Sequence, residues 1–337
     1  MRILITGAVG FLGMHTASRL NAAGHELIGI DNFNDYYDPQ LKHARHAKIR
    51  SFCKVHKVDL AELDAVKAII AEFKPNVIVH LAAQAGVRYS MQDPMAYVQA
   101  NVAGHTSVLE ACRILGADFS HLVYASSSSV YGGNRKIPFS ESDEVNDPVS
   151  IYAATKRAGE LLASTYAHLF RVQAIGLRFF TVYGPWGRPD MAYWSFTRDI
   201  LAGTPIRIFN HGKMMRDFTY IDDVVDGILA MVERSPTFEN TSRPHRVYNI
   251  GNNNPEKLMD VVGLLETLLG KPAVKEFVEM QSGDVVQTYA EIEAAARDYG
   301  FSPSTSIELG LSRFVAWYKE FHGYSGLDKS PDLTVYR

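Results

Sequence analysis

Tyr152 and Lys156 stand four residues apart in the stretch Tyr152-Ala153-Ala154-Thr155-Lys156. A helix through this stretch puts a phenol and an ammonium on one face. A free phenol titrates at about 10 and is a poor base at neutral pH. A fixed positive charge nearby favours the phenolate and lowers that pKa. The pair is thus suited to take a proton from an alcohol. The spacing alone decides nothing, because Tyr and Lys four apart recur by chance on surface helices. Such a base needs an oxidant, a third hydroxyl and a clamp for the substrate.

The oxidant's place is readable at the start of the chain. Ile3 to Thr6 is a short apolar run, followed by Gly7-Ala8-Val9-Gly10-Phe11-Leu12-Gly13 and a helical pattern through Leu20. Strand, glycine turn and helix in this order let a pyrophosphate approach free N–H groups at a helix N-terminus. Glu26 to Ile30 reads as a second buried strand and ends at Asp31. An acid there is placed to hold the adenosine ribose hydroxyls, and it repels a 2′-phosphate, so NAD is favoured over NADP. Asp59 and Leu60 follow a third strand and face the adenine edge. A fourth strand, Asn76 to Leu81, runs into Ala82-Ala83-Gln84-Ala85-Gly86, whose small residues let a cofactor lie across the strand ends. Phe11, Leu12, Asn32 and Asn101 are assigned to the same cofactor site. Arg88 faces phosphate or sugar, or makes a structural ion pair. The basic cluster Lys42, His43, Arg45, His46 and Lys48 reads as a solvated face.

The third hydroxyl has four candidates. His121 to Ala125 is a fifth strand that opens into Ser126-Ser127-Ser128-Ser129-Val130-Tyr131-Gly132. Serine is a poor strand former and a buried hydroxyl needs a partner, so a hydroxyl beside Tyr152 accounts for the run better than a polar turn does. No Asp or Glu interrupts it.

Strands alternate with helices, which predicts an α/β fold: a Rossmann-type doubly wound parallel sheet with a smaller α/β lobe. Residues 1–180 form the cofactor domain, with 221–250 returning to it; 181–220 and 251–322 form the substrate lobe, and 323–337 a tail. The lobe's elements are a helix from Trp194 to Ala202, a strand at Ile206 to Phe209, an amphipathic helix from Lys257 to Leu269 and a final helix from Ile307 to Phe321. The helix expected from Tyr97 to Leu115 and the Tyr152 helix together offer a face for a homodimer. With 47% apolar residues among 337, the chain can bury a large core, and a net charge of −3 gives no reason to expect nucleic acid or a membrane surface as partner. Cys53 and Cys112 match neither a disulfide framework nor a metal site, so no metal is expected. Without an apolar signal or spanning segment, the expectation is a cytoplasmic protein.

Gly7-x-x-Gly10-x-x-Gly13, the serine run and Tyr152-x-x-x-Lys156, in this order, resemble the extended short-chain dehydrogenase/reductase superfamily of nucleotide-sugar epimerases and dehydratases. Leu177-Arg178-Phe179-Phe180-Thr181-Val182-Tyr183-Gly184-Pro185-Trp186-Gly187-Arg188-Pro189-Asp190-Met191-Ala192 is similar to the UDP-glucuronate 4-epimerases, as is Met214 to Asp223. The resemblance implies Ser127, Tyr152 and Lys156 as the catalytic set. It implies an NAD site lined by Gly7, Gly10, Gly13, Asp31, Asn32, Asp59, Leu60, Leu81, Ala83, Lys156 and Phe179, to which Ala82, Gln84 and Ser126 are added. Thr181, Arg188, Arg216 and Asp284 would lie along a UDP-sugar, with Ser128 and Ser129 beside its hexose. The chain departs from the family pattern at Gln281, where UDP-galactose epimerases place an arginine, and at Ser282, where uronate epimerases usually have proline. Phosphate clamping then falls more heavily on Arg216. Members that dehydrate carry Asp-Glu at the positions of Ser128 and Ser129, and members that decarboxylate usually carry Glu at that of Ser129. Their absence points to 4-epimerisation of UDP-glucuronate to UDP-galacturonate through a 4-keto sugar. The alternatives are a UDP-glucose/galactose 4-epimerase, a UDP-glucuronate decarboxylase, or an NAD-sensing regulator without turnover.

Overall fold

A computed structural model describes residues 1–236, 244–281 and 283–324. Ser282 and most of the expected tail, 325–337, lie outside the described residues. Seven strands build the main sheet: β1 (Arg2–Thr6), β2 (Glu26–Asp31), β3 (Cys53–Lys57), β4 (Val77–His80), β5 (His121–Ser127), β6 (Ala174–Phe179) and, much later in the chain, a strand at His245–Ile250. All pair in parallel, in the order His245–Ile250, β6, β5, β4, β1, β2, β3. Strands buried on both faces read as continuous apolar runs, and β4 is buried throughout. The winding reverses between β1 and β4. Strand ends diverge there and leave the crevice in which open α/β sheets bind ligands.

Helices cover both faces. α1 (Phe11–Ala22), α2 (Pro39–Ile49) and α3 (Leu63–Phe73) follow the first three strands. The expected Tyr97–Leu115 helix is instead three pieces: α4 (Pro94–Tyr97), a π-helical turn at Val98–Ala103 and α5 (Gly104–Ile114). α6 (Ile151–Phe170) carries the Tyr152 motif. Ser150 caps it, its hydroxyl accepting from the Ala153 N–H at 3.1 Å.

The smaller lobe contains β7 (Thr181–Tyr183), α7 (Ala192–Ala202), β8 (Ile206–Ile208) and β9 (Met215–Tyr220). α8 (Ile221–Glu233) packs back on α1 and leads to the seventh strand of the main sheet, β10 (His245–Ile250). β11 (Pro255–Lys257), α9 (Leu258–Leu269), β12 (Lys275–Phe277), α10 (Glu293–Tyr299) and α11 (Ile307–Phe321) complete the described chain. α11 has the predicted bounds. A three-stranded sheet β11-β9-β7 and a two-stranded sheet β12-β8 stand beside the main sheet. Buried residues run without a break from Ile3 and Ile5 through Trp194 to Phe314 and Tyr318, so the main sheet and the lobe share one core.

Several histidines are buried within this framework. Burial lowers the pKa of His15 to about 4, of His245 to about 4 and of His105 to about 3, and holds His80 well below the ordinary range. Their folded pKa values lie below the unfolded value of about 6.5, so below that pH the unfolded chain binds more protons. The stability these groups contribute is complete above about pH 6.5 and is lost as pH falls toward about 4. The thermal midpoint is expected to drop steadily from pH 7 to pH 5; a flat profile in scanning calorimetry over that range would contradict this assignment.

Candidate active site

The crevice at the strand ends continues into the space beside the lobe as a single cleft of about 790 Å³. Gly7 has a φ of +68°, and a Cβ there would sit 2.7 Å from the Ala82 nitrogen. A Cβ on Gly13 would lie 2.0 Å from the Gly7 carbonyl oxygen. Both positions therefore require glycine, which packs α1 against the turn. α1 begins at Gly10 with no side-chain cap and no acid in its first turn, leaving its N–H groups and positive dipole end for an anion. Asp31 closes β2 at the other side of the turn. Its carboxylate accepts from the Val9 N–H at 3.2 Å and the Phe33 N–H at 2.9 Å, and burial raises its pKa. Asn32 donates to Asp59 at 2.9 Å, tying the ends of two strands together. These features fit a dinucleotide: a cradle that any Cβ would fill, an open helix end and a ribose-facing acid.

Gly7, Gly10, Phe11, Leu12, Gly13, Asp31, Asn32, Asp59, Leu60, Leu81, Ala82, Ala83, Gln84, Ser126, Tyr152, Lys156 and Phe179 all line the cleft. Asn101 does not. Its amide sits behind the wall, accepting from the Gln84 N–H at 2.8 Å and donating to the Gln84 carbonyl at 2.9 Å and to Thr155 Oγ1 at 3.0 Å. It fixes the strand-end backbone and joins it to α6, a supporting part in place of the expected contact. Ser126 reaches the cleft, but its hydroxyl is turned to Glu160 Oε1 at 2.6 Å.

Lys156 and Glu160, four residues apart, share the buried face of α6 with Ala153, Gly159 and Ala163. Lys156 Nζ donates to the Ala125 carbonyl at 2.9 Å, which anchors the helix to the end of β5. Burial lowers its pKa to about 8, and Glu160 offsets part of that. The Tyr152 pKa is not lowered by Lys156 as the spacing led us to expect. Burial pushes the phenol up, while a hydrogen bond with Ser127 and the charge of Arg188 push it down, and Asp190 adds to the rise. The net direction is upward, because desolvation dominates. Ser127 Oγ donates to Ser129 Oγ at 3.1 Å and accepts from the Ser129 N–H at 3.2 Å, so the run forms a compact hydroxyl turn beside the phenol.

A buried polar network sets that turn from behind. Glu160 accepts from Arg178 Nε at 2.8 Å and Nη2 at 2.9 Å, and from Arg157 at 2.9 Å. Arg178 also donates to the Tyr131 hydroxyl at 3.1 Å, which donates to Asn249 at 2.6 Å. Every charged member has a partner, the condition under which a buried network orders its surroundings.

Arg88, Ser127, Ser128, Ser129, Thr181, Arg188, Arg216 and Asp284 line the other part of the cleft. Arg216 Nη2 is 2.7 Å from Asp284, and the Arg88 guanidinium lies 4.6 Å from the centre of the Phe209 ring. Arg207, which no motif in the sequence singles out, stands over that ring at 5.5 Å and also lines the cleft. Arg216 pairs with Asp284 and Arg207 with Glu276 at 3.7 Å, so three guanidinium groups against two carboxylates leave this end positive, suited to a diphosphate. Gln281 also faces the cleft, and its Oε1 is buried without a hydrogen-bond partner among the described residues.

The solvated-face reading of 42–48 is overturned for two residues. His43 and Lys48 are exposed, but Lys42 and Arg45 are buried. Arg45 follows Leu41 by four residues and so shares its inward face. Its guanidinium donates to the Trp186 carbonyl at 2.7 Å, the Gly187 carbonyl at 2.7 Å and the Tyr37 hydroxyl at 2.6 Å. With His15 on the Pro185 carbonyl at 3.0 Å, it pins a turn in which Trp186 has a φ of +62°. Lys42 donates to the Asn34 carbonyl at 2.7 Å, next to Asp31. Arg188 leaves the pinned turn directly into the cleft, where Asp190 holds it; Tyr36 donates to Asp190 at 3.3 Å, and the sequence marks neither residue as part of the site.

A dinucleotide cradle, a Tyr/Lys/Ser set on the strand ends and an arginine-lined extension define a nucleotide-dependent enzyme acting on a phosphorylated or nucleotide-linked alcohol. Residues 3–251 match the family described as the NAD dependent epimerase/dehydratase family, and the chain belongs to it. It is 46% identical over 339 residues to UDP-glucuronate 4-epimerase 4 of Arabidopsis thaliana, covering 97% of this chain and 77% of that protein. The crystal structure of UDP-glucuronic acid 4-epimerase from Bacillus cereus, in complex with UDP-glucuronic acid and NAD, superposes with a TM-score of 0.87 at 33% identity, covering 95% of this chain and all (100%) of that one. UDP-glucose 4-epimerase from Thermotoga maritima, with UDP-glucose, gives 0.84 at 26% identity, covering 95% and 99%.

Proposed function

We propose that this protein interconverts UDP-glucuronate and UDP-galacturonate by inverting carbon 4, with NAD held in the glycine-turn crevice. When bound, NAD supplies a reversible acceptor for the hydride on carbon 4. Tyr152 takes the proton of the 4-hydroxyl in the forward half-reaction and returns it after the 4-keto sugar has presented its other face. Ser127 shares that proton's hydrogen bond. Lys156 fixes the helix and, while protonated, favours the phenolate. The observation that carries the reading is the serine turn beside Tyr152, which places hydroxyls where family members that dehydrate or decarboxylate carry carboxylates.

A uronate oxidised at carbon 4 is a β-keto acid, which loses carbon dioxide when its carboxylate bond stands perpendicular to the ketone. Neutral donors hold the carboxylate away from that geometry without gripping it: Ser127, Ser128, Ser129 and Thr181 all reach this part of the cleft. A glutamate at position 129 repels the substrate's carboxylate from this pose. Ser129→Glu is expected to lower epimerisation at least tenfold or to release UDP-pentose; unchanged rates of both would remove the role of the serine turn. The reading is tested by incubating the purified protein with UDP-glucuronate and following the anomeric proton by NMR. UDP-galacturonate is expected; UDP-pentose would identify a decarboxylase, and no change would count against turnover. Running UDP-glucose in parallel tests the UDP-glucose/galactose alternative.

We further propose a homodimer through α4–α6. Met95 is 66% exposed, Leu161 53% and Leu169 60%, a density of bare apolar side chains that a partner helix pair would cover. A sedimentation mass equal to one chain would refute it. Both cysteines are buried and unpaired, and no helix among the described residues is long and apolar enough to cross a membrane; a reducing cytoplasm is the compartment we assign.

A further inference from the structure

Arg188 is an arginine of the cleft that lies close enough to Tyr152 to act on it. Its charge acts on the Tyr152 phenol, and its turn is pinned by Arg45 and His15 from the cofactor side. On the proposed substrate the carboxylate is attached to carbon 5, next to the carbon on which Tyr152 works. A free guanidinium there would hold a uronate by a charge-assisted, bidentate bond. The structure gives Arg188 a different partner. Asp190 takes its Nε edge, with Oδ1 3.0 Å from Nε and Oδ2 in close contact with Nη2, and the two side chains are equally shielded at 25% exposure. Tyr36, from the segment after β2, donates to the same Asp190 Oδ2 at 3.3 Å.

We propose that Asp190 is a positioning and specificity-determining residue that holds Arg188 neutralised, so that the substrate's carboxylate is recognised but not locked. Epimerisation requires the keto sugar to turn over inside the cleft. A carboxylate chelated by an unopposed arginine resists that rotation, whereas one facing a pre-formed Arg–Asp pair and neutral hydroxyls does not. The same neutralisation weakens the preference for a uronate over a neutral hexose. Uniform tight binding of substrate lowers KM without raising kcat, and here tight binding also obstructs a step.

The inference rests on the proposed uronate epimerisation, and its test separates the two. Asp190→Asn keeps the size and removes the charge, leaving one accepting oxygen where the carboxylate has two. It is expected to lower KM for UDP-glucuronate about tenfold and to lower kcat about tenfold, with KM for UDP-glucose within twofold of wild type. Asp190→Glu restores the charge and is expected to return both parameters toward wild type. Tyr36→Phe removes a hydrogen bond but no charge, and leaves the uronate-to-hexose KM ratio unchanged. If Asp190→Asn raises both KM values together, changes neither, or is matched by Asp190→Glu or Tyr36→Phe, the inference is overturned while wild-type turnover of UDP-glucuronate still supports the function. If wild type turns over no UDP-glucuronate, the proposed function fails and the inference with it.

Discussion

Tyr152→Phe is expected to lower kcat by about 10³–10⁴-fold while NAD remains bound. Removing a positioned acid–base group typically forfeits up to about 10⁴ in rate, and about 10³ corresponds to roughly 4 kcal/mol of barrier. The effect should fall at the high end, because the phenol serves both half-reactions and no other acid or base stands beside it in the serine turn. The substitution leaves the cradle untouched: Gly7, Gly13 and Asp31 lie on other elements, and the anchor from Lys156 to the Ala125 carbonyl does not pass through the phenol. Cofactor released on denaturation should therefore match the wild-type amount. Substantial turnover in this variant would remove Tyr152 from the reaction; loss of NAD along with activity would make the defect one of assembly.

The second large effect is on stability. Glu160→Ala removes the acceptor of four hydrogen-bond donors, Ser126 Oγ, Arg178 Nε and Nη2, and Arg157 Nη1. The Glu160 and Arg178 side chains are 1% and 3% exposed. Deleting one member of a buried pair leaves an uncompensated charge, at a cost of about 3–5 kcal/mol. Replacing both Glu160 and Arg178 with methionine should cost less than the single change, since the charge left unpaired is then Arg157, which at 28% exposure reaches water. Activity should fall in both, because Ser126 and Tyr131 lose the partners that hold the hydroxyl turn. A loss below about 1 kcal/mol for Glu160→Ala in denaturant titration would show that the network is more solvated than its burial indicates.

The cofactor half of the site is the most legible part of the sequence. Gly7 and Gly13 are demanded by contacts that a Cβ cannot make, and Asp31 ends a strand, so local pattern and three-dimensional role coincide. α11 is equally plain, with apolar residues at helical spacing and Ser306 as its cap. Arg45 and Lys42 are misread when charge is equated with exposure. The helical offset from Leu41 to Arg45 already places that guanidinium inward, and only the carbonyls of Trp186 and Gly187, far along the chain, show why a buried cation is tolerated there. Asn101 invites assignment to the cofactor because it is polar among apolar neighbours. It satisfies a backbone instead, and nothing in its flanking sequence names Gln84 as partner. Asp190 stands within a distinctive motif, but its pairing with a residue two positions away depends on a turn whose shape is set by α1 and α2. The Tyr152 pKa runs against expectation for a related reason: spacing places Lys156 on the same side of the helix but cannot show that the phenol is buried, and burial pushes its pKa up.

The proposed chemistry makes one demand that binding alone does not: the hydrogen removed from carbon 4 must return to carbon 4. UDP-glucuronate carrying deuterium at that carbon tests this directly. Mass spectrometry and NMR of the UDP-galacturonate formed in ordinary water should find the label retained on carbon 4. Label washed out to solvent, or replaced by solvent hydrogen at carbon 4, would contradict oxidation and return within one cleft and, with it, the proposed roles of Tyr152 and the serine turn.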